Sequence, residues 1–146
     1  GSKQKLLPYI IEEATKYRPT NVLDAFSGTT RVSQAFSMNG QNVISNDLAV
    51  WSSTFAKAFL YRRNDKEVQQ LIDHLNTLKP IHGWFTENYG GELNDSKKVW
   101  QSKNTRKLDA IRDEIDTLNL SDVNKSIALT LRANNFMLCF FHVLYH

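Results

Sequence analysis

The stretch from Asn21 to Asp47 constrains the fold of this chain more than any other. Asn21-Val22-Leu23-Asp24-Ala25-Phe26 is a short apolar run following Pro19, and it reads as a parallel-type strand buried on both faces. Ser27-Gly28-Thr29-Thr30 makes a tight turn, and Arg31 to Asn39 reads as a helix closed by Gly40. Asn42-Val43-Ile44-Ser45 is a second short strand that ends at Asn46-Asp47. Upstream, Pro8 suits the first turn of a short amphipathic helix that Pro19 terminates. Downstream, Ala49 to Arg63 is helical, with Trp51, Phe55, Phe59 and Leu60 at helical spacing and expected in the core. Asn64, with Glu67 three residues on, resembles a capping box for the next helix, whose Val68, Leu71, Ile72, Leu75 and Leu78 make a core stripe. The resulting βαβα order predicts a parallel sheet with right-handed crossovers.

Composition narrows the class. The chain has 146 residues, 41% hydrophobic and 23% charged, enough for one buried core and unlike a disordered, collagen-like or coiled-coil sequence. Its single cysteine cannot form an internal disulfide, which points to a reducing compartment. Gly1-Ser2-Lys3 carries no apolar signal run. The apolar stretch from Phe136 to Tyr145 is too short to span a bilayer. The expectation is a cytoplasmic chain with no membrane partner. Its formal net charge of +3 permits nucleic acid as a partner without arguing for it.

The second half changes character. His82 to Thr105 is polar and aromatic-studded, contains Gly83, Gly90 and Gly91, and shows no periodicity, so it reads as a long loop. Helical spacing returns with Leu108, Ile111, Ile115 and Leu118, and again from Ser121. Lys97, Lys98, Lys103, Arg106 and Lys107 cluster beside Trp84, Tyr89 and Trp100, a combination suited to phosphate contacts and base stacking. Glu92, Asp95 and Asp109 dilute that cluster, and a solvated loop explains it as well. Cys139, His142 and His146 share one helical face, but three ligands on a terminal helix make a poor closed site, so no metal is expected. A G-x-S-x-G nucleophile elbow is missing.

The chemistry-bearing stretch is the turn after the first strand. Ligands of open α/β sheets sit beyond the carboxyl ends of the strands, and Gly28 would let the backbone approach one closely. Asp47, 19 residues after Gly28, is placed to accept ribose hydroxyls, which points to an adenosine-containing cofactor. One glycine does not make the G-x-G-x-x-G pyrophosphate cradle, so a dinucleotide is disfavoured. Asp24 would suit the amino group or sulfonium of S-adenosylmethionine. A plain βα turn explains the same residues almost as well.

Taken in order, Lys5-Leu6-Leu7-Pro8-Tyr9-Ile10, Leu23-Asp24-Ala25-Phe26-Ser27-Gly28-Thr29-Thr30 and Ser45-Asn46-Asp47 resemble the opening of adenine-specific DNA methyltransferases of restriction–modification systems. Trp84-Phe85-Thr86-Glu87-Asn88-Tyr89 and Trp100 to Arg112 are similar to one subgroup's middle region, so the likeness covers residues 3–130 and lapses from Leu131. The resemblance implies a Rossmann-like α/β fold binding S-adenosylmethionine over residues 3–80. It implies a loop-rich, helical, truncated target-recognition region over residues 81–146, acting on double-stranded DNA. Carried over residue by residue, Lys5 and Pro8 would close the methionine end of the cofactor site. Asp24, Phe26, Ser27, Gly28 and Thr29 would wrap the cofactor, and Asp47 would bind its ribose.

Two departures stand out. Thr30 occupies a position where many members carry a second glycine. The Asp/Asn-Pro-Pro-Tyr-type motif that holds adenine N6 is missing, since Pro8, Pro19 and Pro80 are all isolated. The chain alone is therefore expected to transfer no methyl group and to contain no catalytic residue. The alternatives are a non-catalytic nucleic-acid-binding subunit, half of a split enzyme completed by a second chain with the catalytic motif, or an RNA or small-molecule methyltransferase-like domain.

Overall fold

The computed structural model describes residues 3–91 and 100–131, which form two compact units, Gly1–Arg62 and Arg63–His146. Lys97 and Lys98 lie outside the described residues, as do Cys139, His142, His146 and the apolar stretch from Phe136 to Tyr145. No helix among the described residues is long and apolar enough to cross a membrane.

In the first unit a 3-10 turn (Lys3–Leu6) leads into α1 (Leu7–Thr15), followed by β1 (Asn21–Asp24), α2 (Arg31–Met38), β2 (Asn42–Ser45) and α3 (Val50–Leu60). The expected alternation is present. β1 and β2 pair in parallel with Asn21 opposite Asn42 and Asp24 opposite Ser45. Helix α2 is the hub: it packs on both strands, and α1, the 3-10 turn and α3 pack on it. Its side of the sheet holds half-buried Val22 and Val43 and buried Asp24. The opposite face differs from expectation, because Leu23 and Ile44, paired across the strands, are 64% and 65% exposed. The strands are thus covered on one face only.

The aromatic stripe of α3 also departs from its expected place. Trp51 and Phe59 are 52% and 40% exposed, and along the helix Trp51 meets Phe55 edge to face at 5.6 Å and Phe55 meets Phe59 at a tilt at 6.3 Å. The buried positions of α3 are small ones, Ser52 and Ala58. Small side chains allow close helix packing, and the larger rings are left on the outside.

The second unit holds α4 (Asp65–Thr77), α5 (Trp84–Tyr89), β3 (Gly90–Gly91), β4 (Trp100–Gln101) and α6 (Ser102–Thr117), and residues 122–131 are helical. The capping residue of α4 is Asn64, as expected. Its Oδ1 accepts from the Lys66 amide at 3.2 Å, and its Nδ2 donates to Glu67 at 2.9 Å. Leu71 and Leu75 of the α4 stripe pack with Ile111, Ile115 and Ala128, which ties α4 to the second unit. The compact boundary falls after Arg62, whereas the resemblance divided the chain into residues 3–80 and 81–146. The expected loop from His82 to Thr105 contains α5 and a two-residue parallel pairing of β3 with β4.

Candidate functional site

The turn after β1 is built by backbone bonds that extend the strand pairing. The Asn46 amide donates to the Asp24 carbonyl and the Ser27 amide to the Asn46 carbonyl, each at 2.9 Å, while Asn46 Nδ2 donates to the Ala25 carbonyl at 3.0 Å. The Thr30 amide then closes the turn on the Ser27 carbonyl at 2.7 Å. Gly28 has φ +50°, and a Cβ there would meet nothing within 4 Å. Conformation, not crowding, selects glycine, and the space where its Cβ would lie is open.

Thr30 is the strained member of the turn. It sits at φ +61°, a conformation that costs a β-branched residue about 1–2 kcal/mol and glycine nothing. Its side chain is fully buried, and its hydroxyl donates to the Thr29 carbonyl and accepts from Gln34 Nε2 at 2.7 and 2.9 Å. The departure from a second glycine is thus a left-handed residue held by its own hydrogen bonds.

Asp47 ties this turn to the next helix. Its Oδ2 accepts from the Gly28 amide at 2.8 Å and its Oδ1 from the Ala49 amide at 2.9 Å, at the start of α3. Those two backbone bonds hold its carboxyl below the usual carboxylate range; the Ser52 hydroxyl lies near enough to help without reaching hydrogen-bond geometry. A carboxylate offers about four acceptor sites, so ribose hydroxyls can still be received beside the two amides. A groove of about 580 Å³ opens alongside, lined by Ser27, Ser45, Asn46 and Asp47 on one side and by Ser52, Ala56, Lys57 and Tyr61 on the other. Two buried hydroxyl oxygens on its walls, Ser45 Oγ and Ser52 Oγ, have no hydrogen-bond partner. Open space at Gly28, spare acceptor capacity on Asp47 and two orphan hydroxyls fit a ligand rich in hydroxyl and amino groups, as adenosine is.

The other expected cofactor residues fall in different settings. Asp24 is 9% exposed and its Oδ2 accepts from Ser33 Oγ of α2 at 2.6 Å, so it braces the turn from within. Phe26 is 82% exposed, Thr29 is exposed and Ser27 is half-buried at the groove. Lys5 and Pro8 are exposed on the segment that packs against α2.

In the second unit, the sequence reading missed a carboxylate that organises the region. Asp109 of α6, 2% exposed, receives the amides of Gly83, Phe85 and Thr86 at 2.9–3.0 Å and the Thr86 hydroxyl at 2.6 Å. Burial by itself would raise its carboxyl, but these four donors outweigh that effect and lower it. The carboxylate thereby caps the N-terminus of α5 from another helix. Gly83 is required there, because a Cβ would lie 2.7 Å from Asp109 Cγ. No local spacing rule pairs residues 26 apart; the only signal was the co-occurrence of the Trp84–Tyr89 and Trp100–Arg112 segments. Of the expected phosphate contacts, Lys103 and Arg106 are exposed on α6. Lys107 is otherwise engaged: its Nζ donates to the carbonyls of Asn76 and Leu78 at 2.9 and 2.7 Å, capping the end of α4. Trp100 is buried, whereas Trp84 and Tyr89 are 56% and 42% exposed. No cluster of metal-ligating side chains occurs among the described residues.

A parallel βα unit whose glycine turn is locked by the acid ending the next strand is characteristic of α/β proteins that bind ligands at strand carboxyl ends. Comparison with known proteins makes the class specific. Over residues 1–138 the chain matches the D12 class N6 adenine-specific DNA methyltransferase family, and it belongs to that family. The match passes beyond Leu131, where the likeness was expected to lapse. A curated relative, the Type II methyltransferase M.NlaIII of Neisseria lactamica, is 25% identical over 122 residues. That alignment takes in 80% of this chain and 36% of the relative's length. No solved structure matches.

Proposed function

We propose that this chain is the S-adenosylmethionine-binding portion of a site-specific DNA adenine-N6 methyltransferase of a restriction–modification system, with its first unit part of a Rossmann-like sheet. The observation that carries the reading is Asp47, which joins the Gly28 amide to the start of α3 beside a groove with two unpartnered hydroxyls. Asp47 would receive the ribose hydroxyls, and the open side of Gly28 with Ser27 would admit the methionine end. Exposed Phe26 and Thr29, with Lys5 and Pro8, would border that end, and Asp24 would hold the turn in shape through Ser33. When bound, the cofactor supplies an electrophilic methyl group on sulfur. The chain's own part is to fix the direction of that group and keep the site shaped, since orientation accounts for several kcal/mol of such a barrier.

The partner is double-stranded DNA. No Asp-Pro or Asn-Pro pair occurs in the 146 residues, so the groups that hold adenine N6 would come from another segment or from a second chain. The chain alone is expected to place no tritium from labelled cofactor on duplex adenine, and label above background would assign it catalytic residues.

Calorimetric titration with S-adenosylmethionine tests the site directly. Asp47→Ala removes the charged acceptor proposed for the ribose hydroxyls, so the affinity should fall about tenfold or more. Asp47→Asn keeps one acceptor oxygen and should lose less. Undiminished affinity in Asp47→Ala, with an unchanged circular dichroism spectrum, would overturn the assignment. Because the carboxyl is depressed in the fold, its support of the turn should be complete well above 3.8 and vanish as pH falls through the lower folded value.

A further inference from the structure

Helix α5 presents a cluster of rings that the cofactor site does not use. Trp84 and Tyr89 lie 5.7 Å apart edge to face, and Phe85 lies 5.0 Å from Tyr89. Although Trp84 and Tyr89 remain 56% and 42% exposed, the helix carrying them is anchored by the buried Asp109 carboxylate. Three residues further along α6, the Arg112 guanidinium sits 5.9 Å over the Trp84 ring, and among the described residues it pairs with no carboxylate. An exposed indole with a guanidinium over its ring, both on helices tied together through Asp109, offers a partner a preordered apolar face beside a cation. A flat guanidinium held over a ring retains its outward N–H donors, which suits a phosphate or a base edge.

We propose that Trp84, Tyr89 and Arg112 form a DNA contact of this chain, with Arg112 on the backbone and the two rings against sugar and base edges. The proposal rests on the DNA methyltransferase reading and deepens it by naming where the duplex is met. It differs from the lysine-rich cluster in substance: Arg112 enters the set, Lys107 leaves it as a helix cap, and Trp100 leaves it as a buried residue. Asp109 touches no DNA here and is a positioning residue that acts through the backbone of α5.

The test is fluorescence anisotropy of a labelled mixed-sequence duplex with the full chain, across a salt series. Arg112→Gln should weaken binding and reduce the slope of log K against log salt by about 0.9, the value for one phosphate contact. Trp84→Ala should weaken binding about tenfold without changing that slope, since a ring carries no charge, and Trp84→Phe should recover most of the loss. Tyr89→Ser should resemble Trp84→Ala. Lys107→Met is the structural comparison, expected to lower the urea midpoint and leave the slope alone. Binding by Trp84→Ala and Arg112→Gln equal to that of the parent, an unchanged slope in Arg112→Gln, or no duplex binding by the parent would overturn the proposal. Any of these would return the patch to a protein-facing role. The same preparations titrated with S-adenosylmethionine keep the two readings apart. Cofactor binding without ring-dependent DNA binding defeats this proposal alone, and the reverse result defeats the cofactor site alone.

Discussion

Asp109→Ala should lower the unfolding free energy by about 3 kcal/mol, because it leaves buried donors without their charged acceptor. Three amides and one hydroxyl converge on this carboxylate, and the Thr86 side chain is only 3% exposed, so water cannot simply replace it. Asp109→Asn retains the shape but turns a donor toward amides, and should lose about half as much. Urea unfolding followed by circular dichroism measures both, and a loss under about 1 kcal/mol for the alanine variant would show that the cap is not holding α5. A second substitution checks the geometry. Gly83→Ala drives a Cβ into Asp109 and should destabilise the parent, yet cost less in the Asp109→Ala background, where the two nearest atoms, Cγ and Oδ1, are gone and only Cβ remains, at 3.0 Å. The pH dependence has a definite sign. The folded carboxyl is depressed, so the stabilisation is present above the unfolded value of 3.8 and is lost as pH falls below it through the folded value.

Gly90→Ala should cost about 2–3 kcal/mol through overpacking. An ideal Cβ at Gly90 would lie 2.6 Å from Thr105 Oγ1 and 2.7 Å from the Thr86 carbonyl oxygen. Neither neighbour can step aside. Thr105 is fully buried with its hydroxyl bonded to the Ser102 carbonyl, and the Thr86 carbonyl belongs to the helix that Asp109 caps. The backbone must move instead, which would disturb the pairing of Gly90 with Trp100. Gly40→Ala makes a useful contrast, since its Cβ would meet nothing and only the φ of +89° opposes it. Equal unfolding midpoints for Gly90→Ala and the parent would mean that β3 and α6 are less tightly packed than their contacts imply.

Much of the first unit could be read from the chain because its signals are local. The strands at Asn21–Asp24 and Asn42–Ser45 and the turn at Gly28 each depend on residues within a few positions of one another, as does the cap at Asn64 in the second unit. Even the link between Gly28 and Asp47 follows from βαβ geometry, in which consecutive parallel strands bring their carboxyl ends together. Hydrophobic spacing also located the α4 stripe correctly, because a helical period names one face whatever covers it.

Spacing could not say what lies opposite each face. For that reason Trp51 and Phe59 stand exposed while α3 packs through Ser52 and Ala58, and Leu23 and Ile44 stand bare on a strand pair expected to be covered twice. A lysine counted toward phosphate contacts became the cap of α4, since Lys107 meets the Asn76 and Leu78 carbonyls only once the second unit has formed. Asp109 had the appearance of a charge diluting a basic loop. Its four donors come from a segment 23 to 26 residues away, and that distance is closed by packing of α5 against α6 and not by any local preference of the chain. Local sequence therefore determined which residues form strands, turns and helix starts, through φ preferences and hydrogen bonds within a few residues. The tertiary structure alone decided which charged groups are buried and matched, because that depends on long-range contacts whose chain-closure entropy is offset only when the whole unit assembles.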